Sequence, residues 1–148
     1  PASGSEGASV TFTTTNSVSS SYVSIQYSGW QGTPEKGTAA GPTTSTNADS
    51  PAITPSTGSD SYTFIAVFRD NGTVVATVAP TNYGNLKTST QGTLCISTAD
   101  RALTASTEDP STFTSASVSW FAQTYSIRGA AAGFFSRYYY DMNRAGNV

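Results

Sequence analysis

The chain has 148 residues, no histidine, one cysteine and a formal net charge of −2 at pH 7. Serine and threonine make up about a third of it, while charged residues are 11%, against roughly 25% in ordinary soluble proteins. Without histidine, the usual general base and the commonest metal ligand are missing. This composition excludes Ser-His-Asp hydrolases and histidine-containing metal centres. The low charge argues against binding to nucleic acid.

The length fits a single domain with a sizeable core. An aromatic content of 11% argues against intrinsic disorder, because disordered chains are poor in aromatic residues. Residues 1–7, Pro-Ala-Ser-Gly-Ser-Glu-Gly, resemble a linker, so we expect a domain over 8–148 that is attached to a longer protein. No apolar run reaches 18 residues, and we therefore expect no membrane insertion.

In chain order, the first elements are two stretches in which apolar residues recur at every second position. These positions are Val10 and Phe12, then Val23, Ile25 and Tyr27. A period of two, with β-branched threonine between, is typical of half-buried strands. We therefore predict a strand in each stretch.

A long region over 28–60 follows, with four prolines and five glycines. About 30 residues without regular structure are uncommon in a compact domain unless they have a function or contain strands. One interpretation is a surface excursion with a short edge strand near 52–54. The other is a solvent-facing recognition loop on a rigid β scaffold. The sequence leaves both open.

The clearest element lies over 61–79. Tyr62, Phe64, Ala66 and Phe68 fall on one face of a strand, and Asn71-Gly72 separates that strand from the apolar run 73–78. Asn-Gly between two alternating runs is a strong hairpin signal, because a type I′ turn needs positive φ at both central residues. We predict a hairpin here, central in its sheet because both arms have apolar residues on both faces.

Three further strands are predicted: a short one at Leu94-Cys95-Ile96, a long one over 116–127 and a third over 134–142. Cys95 is alone, so no internal disulfide is possible, and its apolar neighbours predict a buried, inert thiol. Many short strands with turns between them and no amphipathic helix indicate an antiparallel β-sandwich or β-barrel.

Few chemistries remain for such a chain. Carboxylates and carbonyls alone would suit calcium, but no acidic spacing matches a calcium loop, and we predict no metal site or cofactor. Glu35 with Asp49 or Asp60 would meet as a catalytic pair only by accident of folding. No nucleophile motif is present. We expect a protein that is not an enzyme.

Aromatic residues supply the candidate binding positions. Trp30 is flanked by glycines at the edge of the long loop, beside polar side chains suited to sugar hydroxyls. The candidate ligand-binding residues are Trp30, Gln31, Thr33 and Glu35. The alternative is that Trp30 folds back as a core residue, as we expect for Trp120 in mid-strand.

A second aromatic group lies near the C-terminal end. Tyrosine and phenylalanine are enriched at the centres of protein interfaces, so this group predicts a self-association surface. Its alternative is a two-sided strand within the domain. The candidate interface residues are Phe134, Phe135, Arg137, Tyr138, Tyr139 and Tyr140.

The chain resembles the protruding domain of small non-enveloped RNA-virus capsid proteins, as in nodaviruses and tombusviruses. The resemblance covers the whole chain through its general features: the Gly/Ser linker, Thr/Ser-rich strands, the Pro/Gly loop, unpaired Cys95 and the Phe-Phe-Ser-Arg-Tyr-Tyr-Tyr run. It implies a β-domain on the virion surface, assembled in host cytoplasm. Two or three copies would form a spike whose loops contact a host receptor or glycan.

An adhesin or carbohydrate-binding module of a secreted bacterial or phage protein is the alternative, and it would be secreted or displayed on the cell surface. Such a module would be a monomer whose affinity depends on Trp30. A spike would associate through the aromatic residues near its C-terminal end.

Overall fold

The structure, a computed structural model, describes residues 20–129 and 137–138. Within those ranges the regular secondary structure consists of β-strands alone. The strands are β1 (Gln26–Tyr27), β2 (Trp30–Lys36), β3 (Ala40–Ala48), β4 (Asp60–Asp70), β5 (Gly84–Gln91), β6 (Leu94–Ala105), β7 (Phe113–Gly129) and β8 (Arg137–Tyr138). The described part therefore contains no helix of the length and hydropathy needed to cross a bilayer.

Six of these strands form one antiparallel sheet in the order β2-β7-β4-β6-β5, with β3 also paired to β7. On one side β7 pairs with β4, and on the other side it pairs with β3 and β2 in succession. A two-stranded sheet joins β1 to β8. The prediction of a single all-β domain with antiparallel strands is confirmed.

One face of the six-stranded sheet forms the core, and we call it the core face. Tyr62, Phe64, Ala66 and Phe68 of β4 lie on it and are all buried, as their alternation in the sequence predicts. Cys95 of β6, the cross-strand partner of Asp70 on the same face, is also buried, as predicted. The strand prediction over 116–127 is confirmed by β7, which supplies buried Trp120 to the same face.

In the described part of the chain, the core face is covered by irregular connections and not by a second sheet. Residues 49–59, 71–83 and 106–112 cross it and contribute apolar side chains such as Ile53, Ala76 and Tyr83 to the core. Backbone polar groups of these connections are satisfied by sheet side chains: Ala76 N–H donates to Ser97 Oγ at 3.0 Å. The layering is that of a sandwich in which loops replace one sheet.

The other face, which we call the opposite face, has Thr63, Ile65, Val67 and Arg69 on β4. Residues 20–27, which we call the strap, lie over its β5–β6 half. Ser21 Oγ donates to the Ser89 carbonyl on β5, and Tyr27 OH donates to Asp100 on β6. Side chains of the strap alternate between half-buried and exposed, as predicted, but regular pairing covers β1 alone.

The predicted hairpin over 61–79 is wrong in its second arm. β4 pairs with β6 and β7, while 73–78 makes only a bridge from Val78 to Thr114. After Asn71 the chain folds across the core face, and the Asp70 carboxylate accepts the Val74 N–H within this turn. A Cβ at Gly72 would lie 2.6 Å from Asp70 Oδ2. Gly72 therefore serves this close approach and not a type I′ turn.

The predicted loop over 28–60 is wrong for most of its length, since it contains β2 and β3. The edge strand expected near 52–54 is only a bridge between Ile53 and Glu108. An edge strand tolerates proline because its outward N–H groups have no partner. The edge is interrupted by register shifts within 31–35, 40–43 and 45–47. β5 and most of β6 were not predicted.

Some predictions lie outside the described residues. These are the linker over 1–7, the strand at Val10 and Phe12, most of the strand over 134–142, and the interface residues Phe134, Phe135, Tyr139 and Tyr140. Arg137 and Tyr138 form β8, whose backbone pairs with Tyr27 and Gln26 of the same chain.

Candidate ligand-binding surface

Trp30 and Trp120 have opposite environments. Trp30 begins β2 and is 36% exposed, whereas Trp120 on β7 is 4% exposed. The Trp120 indole N–H donates to Ser45 Oγ at 2.9 Å, which satisfies its polar atom inside the core. Trp120 is the core residue that the sequence predicts, while the interpretation of Trp30 as a core residue is wrong. An indole exposed at a sheet edge is available for stacking.

The predicted ligand-binding residues do not share one surface. Trp30 pairs with Gly129 and so belongs to the opposite face, while Gln31 pairs with Arg128 and belongs to the core face. Successive residues of a strand point to opposite sides of the sheet. Thr33 lies in the register shift between Gln31 and Glu35 and is exposed.

Glu35 is engaged within the fold. Its carboxylate accepts hydrogen bonds from the Ser56 backbone N–H at 3.0 Å and from Ser56 Oγ at 2.9 Å. The carboxylate thus satisfies both the backbone and the side-chain donor of Ser56. Glu35 therefore fixes the connection 49–59 to β2, and its carboxylate has a structural role in the fold.

Beside Trp30, the opposite face has a row of ordered side chains along β7. Phe121, Gln123 and Tyr125 alternate on this face and are half-buried. Lys36 is the cross-strand partner of Tyr125, and Arg69 is the partner of Phe121. Partners in an antiparallel pair share a face and lie about 5 Å apart. Two cations are therefore placed beside two aromatic rings.

These side chains are held in place by their neighbours. The Arg69 guanidinium carbon lies 4.9 Å from the centre of the Phe121 ring, within the range of a cation–π contact. Tyr125 OH donates to Gln123 Oε1 at 2.8 Å, and Gln123 Nε2 donates to the Gly37 carbonyl at 2.7 Å. Such fixed groups lose little conformational entropy when they bind a ligand.

Charged groups are divided unequally between the two faces. On the core face both arginines are paired: Arg101 with Glu108 at 3.0 Å and Arg128 with Asp60 at 2.6 Å. The Ser61 N–H, followed by Arg128, holds the pKa of the Asp60 carboxyl below its usual value. Neither Lys36 nor Arg69 forms an ion pair with a carboxylate in the described part of the chain.

The Arg101–Glu108 ion pair of the core face is part of a partly buried network. Tyr83 OH donates to Glu108 Oε1 at 3.2 Å, the same oxygen that receives Arg101. Burial, and then the charge of Glu108, raise the pKa of the Tyr83 hydroxyl above its ordinary value. This network connects 71–83 and 106–112 to β6, so it stabilises the cover of the core face.

We refer to Trp30, Lys36, Arg69, Phe121 and Tyr125 as the cationic surface. This surface combines aromatic rings, a guanidinium and an ammonium. Such groups are suited to binding a ligand, and they do not form the acid–base pair that catalysis of hydrolysis needs. Sequence reasoning found only Trp30 of the five. The other four are brought together by pairing between strands up to 90 residues apart in the sequence, which no local signal reveals.

No protein-family model matches this chain, and no curated protein or solved structure does so either. Among the described residues, no group of three or more cysteine, aspartate and glutamate side chains is placed to hold a metal ion.

Proposed function

We propose that this chain is a non-enzymatic, surface-projecting attachment domain of a viral capsid protein, which binds a host-cell ligand. The observation that carries the proposal is Trp30, an exposed indole on a rigid sheet, on the same face as the other members of the cationic surface. A rigid β scaffold that presents exposed side chains is a common arrangement for recognition. The cationic surface is the attachment site in this proposal.

A direct test is the binding of the labelled domain to cultured host cells. Trp30→Ala is expected to reduce binding about fivefold or more, because truncation of an aromatic residue at the centre of a binding site costs more than about 1 kcal/mol. Tyr22→Ala is the matched control, since Tyr22 is also an exposed aromatic residue but lies on the strap. Equal binding by wild type and Trp30→Ala would exclude the cationic surface as the attachment site.

The proposal includes self-association into a dimer or trimer through the predicted interface residues Phe134, Phe135, Arg137, Tyr138, Tyr139 and Tyr140. Sedimentation equilibrium of the wild type and of a variant with serine at 138–140 tests it. We expect an oligomer that the variant converts to a monomer without loss of the fold. An unchanged association state would contradict the interface.

The second candidate is a carbohydrate-binding module of a secreted protein, which the exposure of Trp30 also favours. It predicts a monomeric wild type in the same sedimentation experiment, with sugar binding that depends on Trp30. The association state therefore separates the two candidates.

A further inference from the structure

We infer that the ligand of the cationic surface is an anionic oligosaccharide, whose carboxylate or sulfate groups bind Arg69 and Lys36 and whose sugar rings stack on Trp30. The inference rests on the proposed function, because it names the chemistry of the ligand at the same site. It is carried by the distribution of charge across the sheet and by the spacing of the five residues.

The charge distribution is opposite to that of the chain as a whole. The chain has a net charge of −2, yet the opposite face has three cations, Lys36, Arg69 and Lys87, on its described strands. The single carboxylate of these strands on that face, Asp100, is 3% exposed and accepts hydrogen bonds from Tyr27 and Asn85. Among the strands that the structure describes, this face therefore presents positive charge to solvent without an exposed carboxylate.

The other carboxylates of the described residues lie on the core face or in the connections that cover it. Glu35, Asp60 and Glu108 are directed to the core face, where each is engaged by a hydrogen-bond donor. Exposed Asp49 and Asp109 belong to connections that cover the core face. Repulsion from these carboxylates would be weakest at the opposite face, because charges more than about 10 Å apart are screened in physiological salt.

The spacing of the groups fits a chain of sugars and not a single small anion. Trp30 is level with Gly129 of β7, Lys36 with Tyr125, and Arg69 with Phe121. A strand rises about 3.3 Å per residue, so each step of four residues spans about 13 Å and the whole row about 26 Å. An extended oligosaccharide can contact all three levels at once.

Each group suits one part of such a ligand. The Arg69 fork, held against Phe121, can donate two parallel hydrogen bonds to a carboxylate or sulfate. Lys36 supplies a point charge without fixed geometry. Exposed hydroxyls of Thr44 and Ser119, which pair with each other next to Phe121, are placed to bind sugar hydroxyls.

Titration calorimetry of the purified domain tests the inference with three probes: a heparin octasaccharide, a sialylated oligosaccharide and an uncharged glucose octasaccharide. We expect at least one anionic probe to bind and the uncharged probe to bind at least about tenfold more weakly. Binding should weaken as NaCl rises from about 0.05 to 0.5 M. Heparin has both sulfate and carboxylate groups, whereas the acidic group of the sialylated probe is a carboxylate. Binding of the sialylated probe would therefore show that a carboxylate is sufficient, and binding of heparin alone would show that it is not.

Four variants locate the site. Arg69→Gln and Lys36→Gln should each weaken anionic binding, by about tenfold or more for Arg69. Arg69→Lys should restore only part of the affinity, because lysine lacks the planar fork. Lys87→Gln is the matched control, since it removes a cation from the same face on β5, away from Trp30, and should bind as the wild type does. Urea unfolding of each variant confirms the fold.

The outcomes are separable from those of the proposed function. If the domain attaches to cells through Trp30 but binds no anionic probe, or if Arg69→Gln and Lys36→Gln bind as the wild type does, the inference is wrong and the attachment function stands. If the anionic probe binds but cells are not bound, the attachment function is wrong. Binding of the uncharged probe with equal affinity would also overturn the inference.

Discussion

The two faces of the six-stranded sheet are built from the same strands and differ in what covers them. Three irregular connections close the core face, and large side chains such as Phe64 and Phe68 are fully buried beneath them. On the opposite face the strap is bonded to β5 and β6, and residues of β7 such as Phe121 remain only partly buried. In this protein the loops stabilise the core, while one face of the sheet presents the candidate site.

This division reverses the usual expectation that loops recognise and sheets support. Connection 49–59 is held by Glu35, and connection 106–112 is held by Arg101, so both are committed to the core. Side chains on a strand are fixed by two neighbouring strands, which gives the cationic surface defined geometry. Four experiments test the contrast between the faces.

The largest difference is expected between two phenylalanines. Phe68→Ala should lower the free energy of unfolding by about 3–5 kcal/mol, because it leaves a cavity beside Phe113 on the core face. Phe121→Ala, on the opposite face, should cost about 1 kcal/mol, since the ring is already partly in water. Urea unfolding monitored by tryptophan fluorescence measures both. Equal losses would mean that both faces are equally closed.

Glu108→Ala tests how the connections are fastened. It removes the shared acceptor of Arg101 and Tyr83, and we expect a loss of about 2 kcal/mol because Tyr83 is left buried without a partner. The neighbouring Asp109→Ala is the matched control and should change stability by less than about 0.5 kcal/mol, since Asp109 is exposed. The same urea titration applies, and similar values for both variants would contradict the network.

Alkaline pH should loosen the same network. The folded state holds the Tyr83 proton more tightly than the unfolded chain does, so stability is complete below the unfolded tyrosine pKa of about 10 and falls as pH rises above it. One such group adds a slope of about 1.4 kcal/mol per pH unit. Tyr83→Phe should remove that slope between pH 10 and the alkaline unfolding transition. An unchanged slope would show that Tyr83 does not titrate differently in the folded state.

The last expected effect is on the reactivity of a side chain and does not involve the free energy of unfolding. Burial raises the pKa of the Cys95 thiol, and the charge of Asp70 adds to that direction while its backbone N–H opposes it. Cys95 on the core face should therefore react with iodoacetamide at least about a hundredfold more slowly than in unfolded protein. Mass spectrometry after timed quenching gives the rate. Rapid alkylation of folded protein would show that the core face opens readily.

What the sequence predicted and what it missed follow from the range of the interactions involved. The alternation Tyr62-Phe64-Ala66-Phe68 identified the core side of β4, because strand period is a local property. The run 73–78 has the same local pattern but is not a strand of the sheet, and it covers the core instead. Its position depends on hydrogen bonds to Asp70 and Ser97, which the local pattern does not reveal.

The candidate site shows the same limit. Trp30 was found because its flanking glycines and polar neighbours are visible in the sequence. Arg69 and Phe121 are 52 positions apart, and their pairing depends on the register between β4 and β7, for which no local signal exists. Proline in β2 and β3 concealed an edge strand, since the same residues are common in loops.

The interrupted edge of the sheet has a consequence for how copies of this domain behave at high local concentration. An unbroken edge strand is a template on which another chain can pair and aggregate. Here the register shifts of β2 and β3 break one edge, and Ser21 occupies the Ser89 carbonyl on the other. A Cβ at Gly41 would clash with the Trp120 carbonyl oxygen, so substitution there would disturb the break itself. Crowded copies can therefore avoid pairing edge to edge, and each keeps its own sheet intact.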